Sequence, residues 1–280
     1  SKMQLELEKL DLLTKDHLLR VDNSGCQLLR QLSVFEYSKN PSCGFAPRKD
    51  QQLWSFDEQK HVINLNLELN KQMDFMLVCS PGSDVLVNLR LNSLRDSKMQ
   101  IETILQENAK LELNILVEDS SLKSCLDLRV LNLLMQSNAN CNLNIVYDLQ
   151  GSSRINLDVK HKFLQSANSG RILINGIMDE QSIAQVNGCI YIGADANQTD
   201  SELRQEVLLL GDKARNFVTP ALEIFTDDVK AAHSVSVAQL SEEIMFYMAS
   251  RGLDFLQAKQ LYKQAMRNKL FSFDKLEFNV

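Results

Sequence analysis

Four histidines and six cysteines are the side chains best suited to metal or nucleophilic chemistry in this chain. His17, His61, His161 and His233 stand far apart, and none falls in the H-x-x-x-H spacing that sets two imidazoles on one helix face. The cysteines, at 26, 43, 79, 125, 141 and 189, form no C-x-x-C, so neither a zinc ribbon nor a thioredoxin motif is present. They are too sparse for a disulfide scaffold, and reduced thiols are the expectation. Cys125, Cys141 and Cys189 sit in alternating apolar stretches and are expected to be small core residues. The carboxylate pairs Asp227-Asp228 and Glu242-Glu243 are adjacent in sequence. A strand sends the first pair to opposite faces, and a helix puts the second in its first turn. Neither arrangement flanks a glycosidic bond, as a glycosidase pair must. No G-x-x-x-x-G-K-[ST], G-x-G-x-x-G or G-x-S-x-G occurs, so the chain carries no nucleotide-hydrolysing or serine-hydrolase motif. Motif chemistry gives no reason to expect an enzyme.

The chain that must position these residues has 280 of them, 44% hydrophobic and 24% charged, a balance that can bury a core. A net charge of −6 argues against phosphate-driven nucleic-acid binding, which needs a basic face. The unbroken apolar stretches are too short to cross a bilayer, so no membrane partner is expected. No charged n-region followed by an apolar h-region opens the chain, which suggests a cytoplasmic protein. The start Ser1-Lys2-Met3 has the look of a tag remnant.

One pattern recurs through the middle: a small residue, a spacer, then apolar residues at every second position. Ala139-Asn140-Cys141-Asn142-Leu143-Asn144-Ile145 and Ser153-Arg154-Ile155-Asn156-Leu157-Asp158-Val159 show it cleanly. Its anchors are Ser83, Ser97, Ala109, Ser124, Ala139, Ser153, Ser169 and Ala184, a step of roughly 14 residues. Strict alternation is the signature of a strand with one wet and one dry face. Turn residues fill the gaps, among them Asn108, Asn138 and Gly151-Ser152. Repeated strand and turn over about a hundred residues suits a stacked β-solenoid, whose rungs bury one another's apolar faces. Evenly spaced antiparallel hairpins in a meander or barrel remain the alternative, with Asn175-Gly176 and Asn187-Gly188 as possible hairpin turns.

The ends differ from the middle, which divides the chain into 1–60, 61–237 and 238–280. The first part is expected to be partly helical. Leu28, Leu29, Leu32 and Phe35 have helical spacing, and the stretch 3–13 fits either period. Trp54 reads as a packing anchor just before a first strand over 61–69. At the other end Ser241-Glu242-Glu243 starts a helix, with a cap and acids in its first turn. Leu240, Ile244, Tyr247 and Met248 make its apolar face, and Gly252 ends it. Asp254 can cap a second helix with Phe255, Ala258, Leu261, Tyr262, Ala265 and Met266 on one face and Lys263, Arg267 and Lys269 toward its negative end. Such a pair reads as a cap on the last rung or as a docking surface.

The most distinctive run is Leu208-Leu209-Leu210-Gly211-Asp212-Lys213-Ala214-Arg215, followed by Thr219-Pro220-Ala221-Leu222-Glu223-Ile224-Phe225-Thr226-Asp227-Asp228-Val229-Lys230-Ala231-Ala232-His233. It continues with Gln239-Leu240-Ser241-Glu242-Glu243, Phe246-Tyr247 and Ser250-Arg251-Gly252. Over about residues 208–270 this closely resembles the C-terminal signature of the SufB/SufD family of iron–sulfur cluster assembly proteins. The resemblance implies a parallel β-helix core with a short mixed N-terminal region and a C-terminal two-helix segment. It also implies a non-catalytic scaffold that pairs through its last strands with a SufB-type subunit, or with a second copy, and docks the Suf ATPase through the helices. Tyr262, Lys263 and Arg267 are then the expected partner-binding residues. B-type members carry a cysteine where this chain has Ala214 and a glutamate where it has Ser234, so the chain looks SufD-like. It departs from D-type members at Ala231, where a cysteine is common, and in being shorter. His233 is the implied ligand to iron or a transient cluster shared across the subunit interface, since imidazole replaces cysteine at some cluster sites. No cluster is expected on this chain alone. The implied compartment is the cytoplasm, or the plastid stroma in a photosynthetic eukaryote. Two other readings of the solenoid are a polysaccharide-active enzyme, which the 6% aromatic content does not favour, and a self-pairing structural protein with no cluster role.

Overall fold

The computed structural model describes residues 17–21, 51–69, 72–93, 95–119, 121–239 and 242–270. The helical spacing over 28–35 and the ambiguous stretch 3–13 lie outside these residues. Eight strands form one sheet in the order β1 (His17–Val21), β3 (Lys60–Leu69), β5 (Asp84–Ser93), β7 (Lys110–Glu118), β9 (Asn140–Leu149), β11 (Ser169–Met178), β13 (Thr199–Leu209) and β15 (Val229–Gln239). Seven form the other: β2 (Gln52–Phe56), β4 (Gln72–Cys79), β6 (Ser97–Leu105), β8 (Cys125–Leu134), β10 (Arg154–Phe163), β12 (Ile183–Ile192) and β14 (Arg215–Ile224). The chain alternates between the sheets, so each strand pairs with the second one along.

All strand pairs among the described residues are parallel, which makes the fold a parallel β-solenoid and rules out the hairpin alternative. The 14-residue step is one strand and its turn. A full coil takes about twice that: Asn140 Nδ2 donates to Ser169 Oγ, 29 residues on and one coil later. The sheets also begin earlier than residue 61. Trp54 lies inside β2, buried and tilted against Phe75 at 5.1 Å, so it does anchor packing.

Alternation builds the core. In β10 the inward residues are Ile155, Leu157, Val159, His161 and Phe163, all buried, and the residues between them face out. Register stacks like on like: Leu128, Leu157 and Val186 form one column and Val130 and Val159 another. The corners stack too. Asn108, Asn138, Ala167 and Gln198 at one corner, and Leu122, Gly151 and Glu180 at another, all take the left-handed conformation that turns the chain sharply. At residue 151 only glycine fits, because a Cβ would lie 2.1 Å from the Leu122 carbonyl oxygen.

One polar column runs up the outside of the eight-stranded sheet. Asn64, Asn88, Asn114 and Asn144 are in register. Each amide nitrogen donates to the amide oxygen one coil earlier: Asn88 to Asn64 at 2.9 Å, Asn114 to Asn88 at 2.9 Å and Asn144 to Asn114 at 2.7 Å. Asn88 is fully buried and Asn114 nearly so. Replacing Asn114 with Ala removes a donor from Asn88 and an acceptor from Asn144. We expect a loss of about 1–3 kcal/mol in denaturant unfolding, the cost of leaving buried amide groups unmet. A change below about 0.5 kcal/mol, the scale of an ordinary surface substitution, would mean that the ladder carries no stability.

After β15 come α1 (Glu242–Ser250) and α2 (Phe255–Leu270). Gly252, at φ +83°, ends the first helix, and Leu253 N closes the turn on the Met248 carbonyl. Asp254 and Gln257 cap the second reciprocally: Gln257 N donates to Asp254 Oδ1 at 2.8 Å, and Asp254 N donates to Gln257 Oε1 at 3.0 Å. The pair does not lid the last rung. α2 runs back along the outer face of the eight-stranded sheet. There Tyr262 packs on Ile177, Leu208 and Leu210, and Lys259 bonds Asp179 at 2.5 Å. No helix among the described residues is long and apolar enough to cross a membrane.

Candidate functional site

β14 and β15 are the last strands of their sheets, and their inward-facing residues are left uncovered at this end of the solenoid. Val235 is 43% and Val237 54% exposed, although the residues below them, Gln205 and Val207, are buried. Ile224 of β14 is exposed in the same way, and Phe217 and Phe225 add apolar surface beside it. This is a cross-section of a hydrophobic core with a strand edge on each side. Water is a poor partner for the first and another strand a ready partner for the second.

His233 stands in this cross-section. Its register partner is Leu203, and the column below reads Leu203, Ile172, Leu143, Leu113, Val87 and Ile63. Every earlier member is a buried aliphatic residue; the last is an exposed imidazole. No described residue bonds to it, so both ring nitrogens are free to take a ligand. No three His, Cys, Asp or Glu side chains cluster to hold a metal among the described residues. A ligand set at His233 therefore requires atoms from elsewhere. Ala214 cannot help: it is buried in the turn before β14, packed on the main core. Ala231 is partly buried on the same inward face as His233, while Ser234 faces out.

The helix residues divide. Lys263 Nζ lies 2.8 Å from Asp148 Oδ1, with both side chains largely buried, so its charge points at the solenoid. Tyr262 is likewise turned to the sheet. Arg267 lies in α2, and its side chain is outside the described residues. The outward surface is apolar instead: Phe246, Tyr247, Phe255, Leu256 and Leu261 are all exposed, Phe246 by 78%. The face expected to be continuous is split. Ala258 and Tyr262 face inward, and Phe255 and Leu261 face solvent.

The cysteines also divide by strand parity. Cys79 and Cys141 are buried core thiols, and burial pushes Cys79 up to about 12. Cys125 and Cys189 were expected in the core and are not there. They fall on the outward parity of β8 and β12, half-buried, with Cys189 Sγ donating to Glu223 Oε1 at 3.5 Å. His161, which no motif marks, is fully buried with Nε2 3.9 Å from Cys141 Sγ, and burial lowers its pKa to about 3. A shallow groove of about 370 Å³ crosses the outer face of the seven-stranded sheet. Its carboxylates are already bonded, Asp127 to Asn156 at 2.6 Å and Asp158 to Arg129 at 3.4 Å. Its lining is polar and charged side chains with three apolar ones, Met99, Leu128 and Leu157, and no aromatic ring, not the stacking platform a polysaccharide needs.

Residues 99–266 match the SUF system FeS cluster assembly, SufBD core domain. The chain belongs to this family. The match runs from β6 into α2, so it takes in the open end, His233 and the flanking helix. Iron–sulfur cluster assembly protein SufD of Escherichia coli is 33% identical over 102 residues, 36% of this chain and 24% of its own length. SufD of Bacillus subtilis is 35% identical over 95 residues, 34% of this chain and 22% of its own. A chloroplastic protein of Arabidopsis thaliana is 32% identical over 77 residues, 28% of this chain and 16% of its own. The chain thus matches less than a quarter of the length of each of these relatives. The matched span holds both solenoid and helix, and α2 lies against the flank of the solenoid rather than over its end.

Proposed function

We propose that this chain is a non-catalytic scaffold subunit of a SUF-type iron–sulfur cluster assembly complex. It pairs through β14 and β15 with a B-type subunit, or with a second copy where none exists. The observation that carries this reading is the uncovered end: apolar inward residues, two strand edges and a histidine without a partner in one plane. A second solenoid docked there would cover Val235, Val237 and Ile224 and extend the sheets by strand addition. His233 would then face a site built jointly, with the thiolate from the partner, because Ala214 supplies none. The cluster is cargo, held between the subunits and passed on. The Suf ATPase docks on the exposed apolar surface of α1 and α2, with Phe246, Tyr247, Phe255, Leu256 and Leu261 as contacts and Arg267 beyond them. Tyr262 and Lys263 serve that surface indirectly, by holding α2 on the sheet. Work of this kind is done in the cytoplasm or, as the chloroplastic relative suggests, in a plastid stroma.

The test is co-purification of this chain with the B-type subunit of the same source. Val235→Asp combined with Val237→Asp places two carboxylates in the plane of contact, where desolvating an unpaired charge costs several kcal/mol. Pairing is expected to weaken at least 100-fold by sedimentation, with the circular dichroism of the free chain unchanged. ATPase binding through the helices is expected to persist in the same variant and to vanish when residues 242–270 are deleted. Full pairing of the double variant would exclude the open end as the interface.

A further inference from the structure

The rung beneath His233 is polar where a solenoid core is ordinarily dry. β13 directs Thr199, Ser201, Leu203, Gln205 and Val207 inward. Below Gln205 the column reads Ile174, Ile145, Ile115, Leu89 and Leu65, aliphatic throughout. Gln205 is only 1% exposed, and neither its amide nitrogen nor its amide oxygen has a hydrogen-bond partner. The hydroxyl of Ser201, two residues back on the same face, is unpartnered as well. Such groups are rare, because each forgoes the water it had in the unfolded chain. Room for the amide comes from across the core: a Cβ at Gly188 would lie 2.8 Å from Gln205 Nε2. Two positions, Gly188 and Gln205, are therefore matched to keep a primary amide inside an aliphatic stack.

Register says what the amide serves. Leu203 pairs with His233 and Gln205 with Val235, so Gln205 and His233 are diagonal neighbours on one face of adjacent parallel strands. Long side chains span that diagonal separation. No charged side chain faces inward from β13 or, by register, from β14, whose inward residues are Asn216, Val218, Pro220, Leu222 and Ile224. The Gln205 amide is thus an uncommitted dipole on the diagonal to the imidazole. A neutral imidazole that binds a metal through one nitrogen has its tautomer set by the hydrogen bond at the other.

We infer that Gln205 is a positioning residue for His233: its Oε1, through an ordered water at the open end, accepts the N–H of one ring nitrogen and holds the other nitrogen's lone pair toward the subunit interface. This rests on the ligand role given to His233 above, and the experiment separates the two. The full-length chain is labelled with 15N-histidine, and the His233 ring signals are assigned by their loss in His233→Ala. In the parent protein one tautomer is expected to dominate. In Gln205→Leu, which fills the same space with apolar atoms, the tautomer ratio is expected to fall several-fold toward that of free imidazole. Thermal stability should hold or rise, because the amide that is removed has no partner within the protein core. Gln205→Glu keeps an acceptor, so the dominant tautomer should persist and the ring should hold its proton to higher pH.

Unchanged His233 ring shifts and titration in Gln205→Leu would overturn the inference. So would a marked fall in its melting temperature, which would show the amide bonded within the core. Should Gln205→Leu fail to fold, Gln205→Glu decides: a His233 titration unmoved by the new carboxylate overturns it equally. A tautomer shift with the iron content of the reconstituted complex also reduced supports both readings. A tautomer shift with iron content intact supports the positioning role and removes the ligand role instead.

Discussion

Unfolding is expected to become easier as the pH falls from about 6.5 toward 3, and His161→Leu should remove one proton's share of that slope. His161 points into the solenoid from β10, fully buried, with its Nδ1 unpartnered and its Nε2 against a neutral thiol. Burial lowers its pKa to about 3 because no charge or acceptor nearby repays the cost of a buried imidazolium. In the unfolded chain the same ring titrates near 6.5. Between those values the unfolded state carries a proton that the folded state does not, so stability rises with pH across the window and is lost as acid is added. The slope from this group is about 1.4 kcal/mol per pH unit, or about 2 kcal/mol between pH 6.5 and 5. Carboxylates contribute their own acid limb below about pH 4, so the reading is a difference. Guanidinium midpoints at pH 7, 6, 5 and 4 are compared for the parent and His161→Leu. The stability difference should shift in favour of His161→Leu as pH falls, by about 2 kcal/mol between pH 7 and 5. Parallel pH profiles would show that the ring titrates alike in the folded and unfolded states.

That histidine also marks how much was legible in the sequence. The strand Arg154-Ile155-Asn156-Leu157-Asp158-Val159-Lys160-His161-Lys162-Phe163 alternates without a break, so parity alone puts His161 inside with Val159 and Phe163. The same count puts Cys189 outside, between Gly188 and Ile190. Both facts could be read from periodicity once strand ends were fixed, and strand ends are what a short alternating run leaves vague. The solenoid was the better fit to a fixed strand-and-turn step sustained over about a hundred residues, although evenly spaced hairpins repeat the same unit. The coil of two strands per turn was not legible, because one-strand and two-strand coils share the same 14-residue step. His233 was found through its surrounding motif, and its place at the end of an aliphatic column follows only from register. The helix pair was legible as two amphipathic segments with a capping box. Where α2 lies was not: its inward residues, Ala258, Lys259, Tyr262 and Lys263, include two charges, and their partners Asp148 and Asp179 are about a hundred residues earlier.

Lys263→Glu should release α2 from the solenoid. Lys263 and Asp148 are 19% and 6% exposed and 2.8 Å apart, so this is a largely buried pair rather than a surface contact. Asp148 stands in register with Glu118, one coil below, and Arg90 holds Glu118 at 2.8 Å. A glutamate at 263 would face Asp148 beside that second carboxylate, with a lysine's worth of compensation removed. Breaking one partner of a buried pair costs about 3–5 kcal/mol, and the reversed charge adds to it. Among the described residues of α2, the Tyr262 contact, the buried Ala258 and the Lys259–Asp179 bond, one turn away on the same face, also hold the helix. Docking of this 16-residue helix should not survive the loss of its buried ion pair. Amide hydrogen exchange in α2 is expected to accelerate at least 100-fold, while the strands from β3 to β13, whose ladders are independent of the helix, keep their protection. Asp148→Lys in the same chain should restore much of the slow exchange by swapping the pair. Loss of ATPase binding by Lys263→Glu together with rescue by the swap would assign Lys263 to holding the docking surface in place. Lost binding with α2 still protected would instead put Lys263 in direct contact with the ATPase.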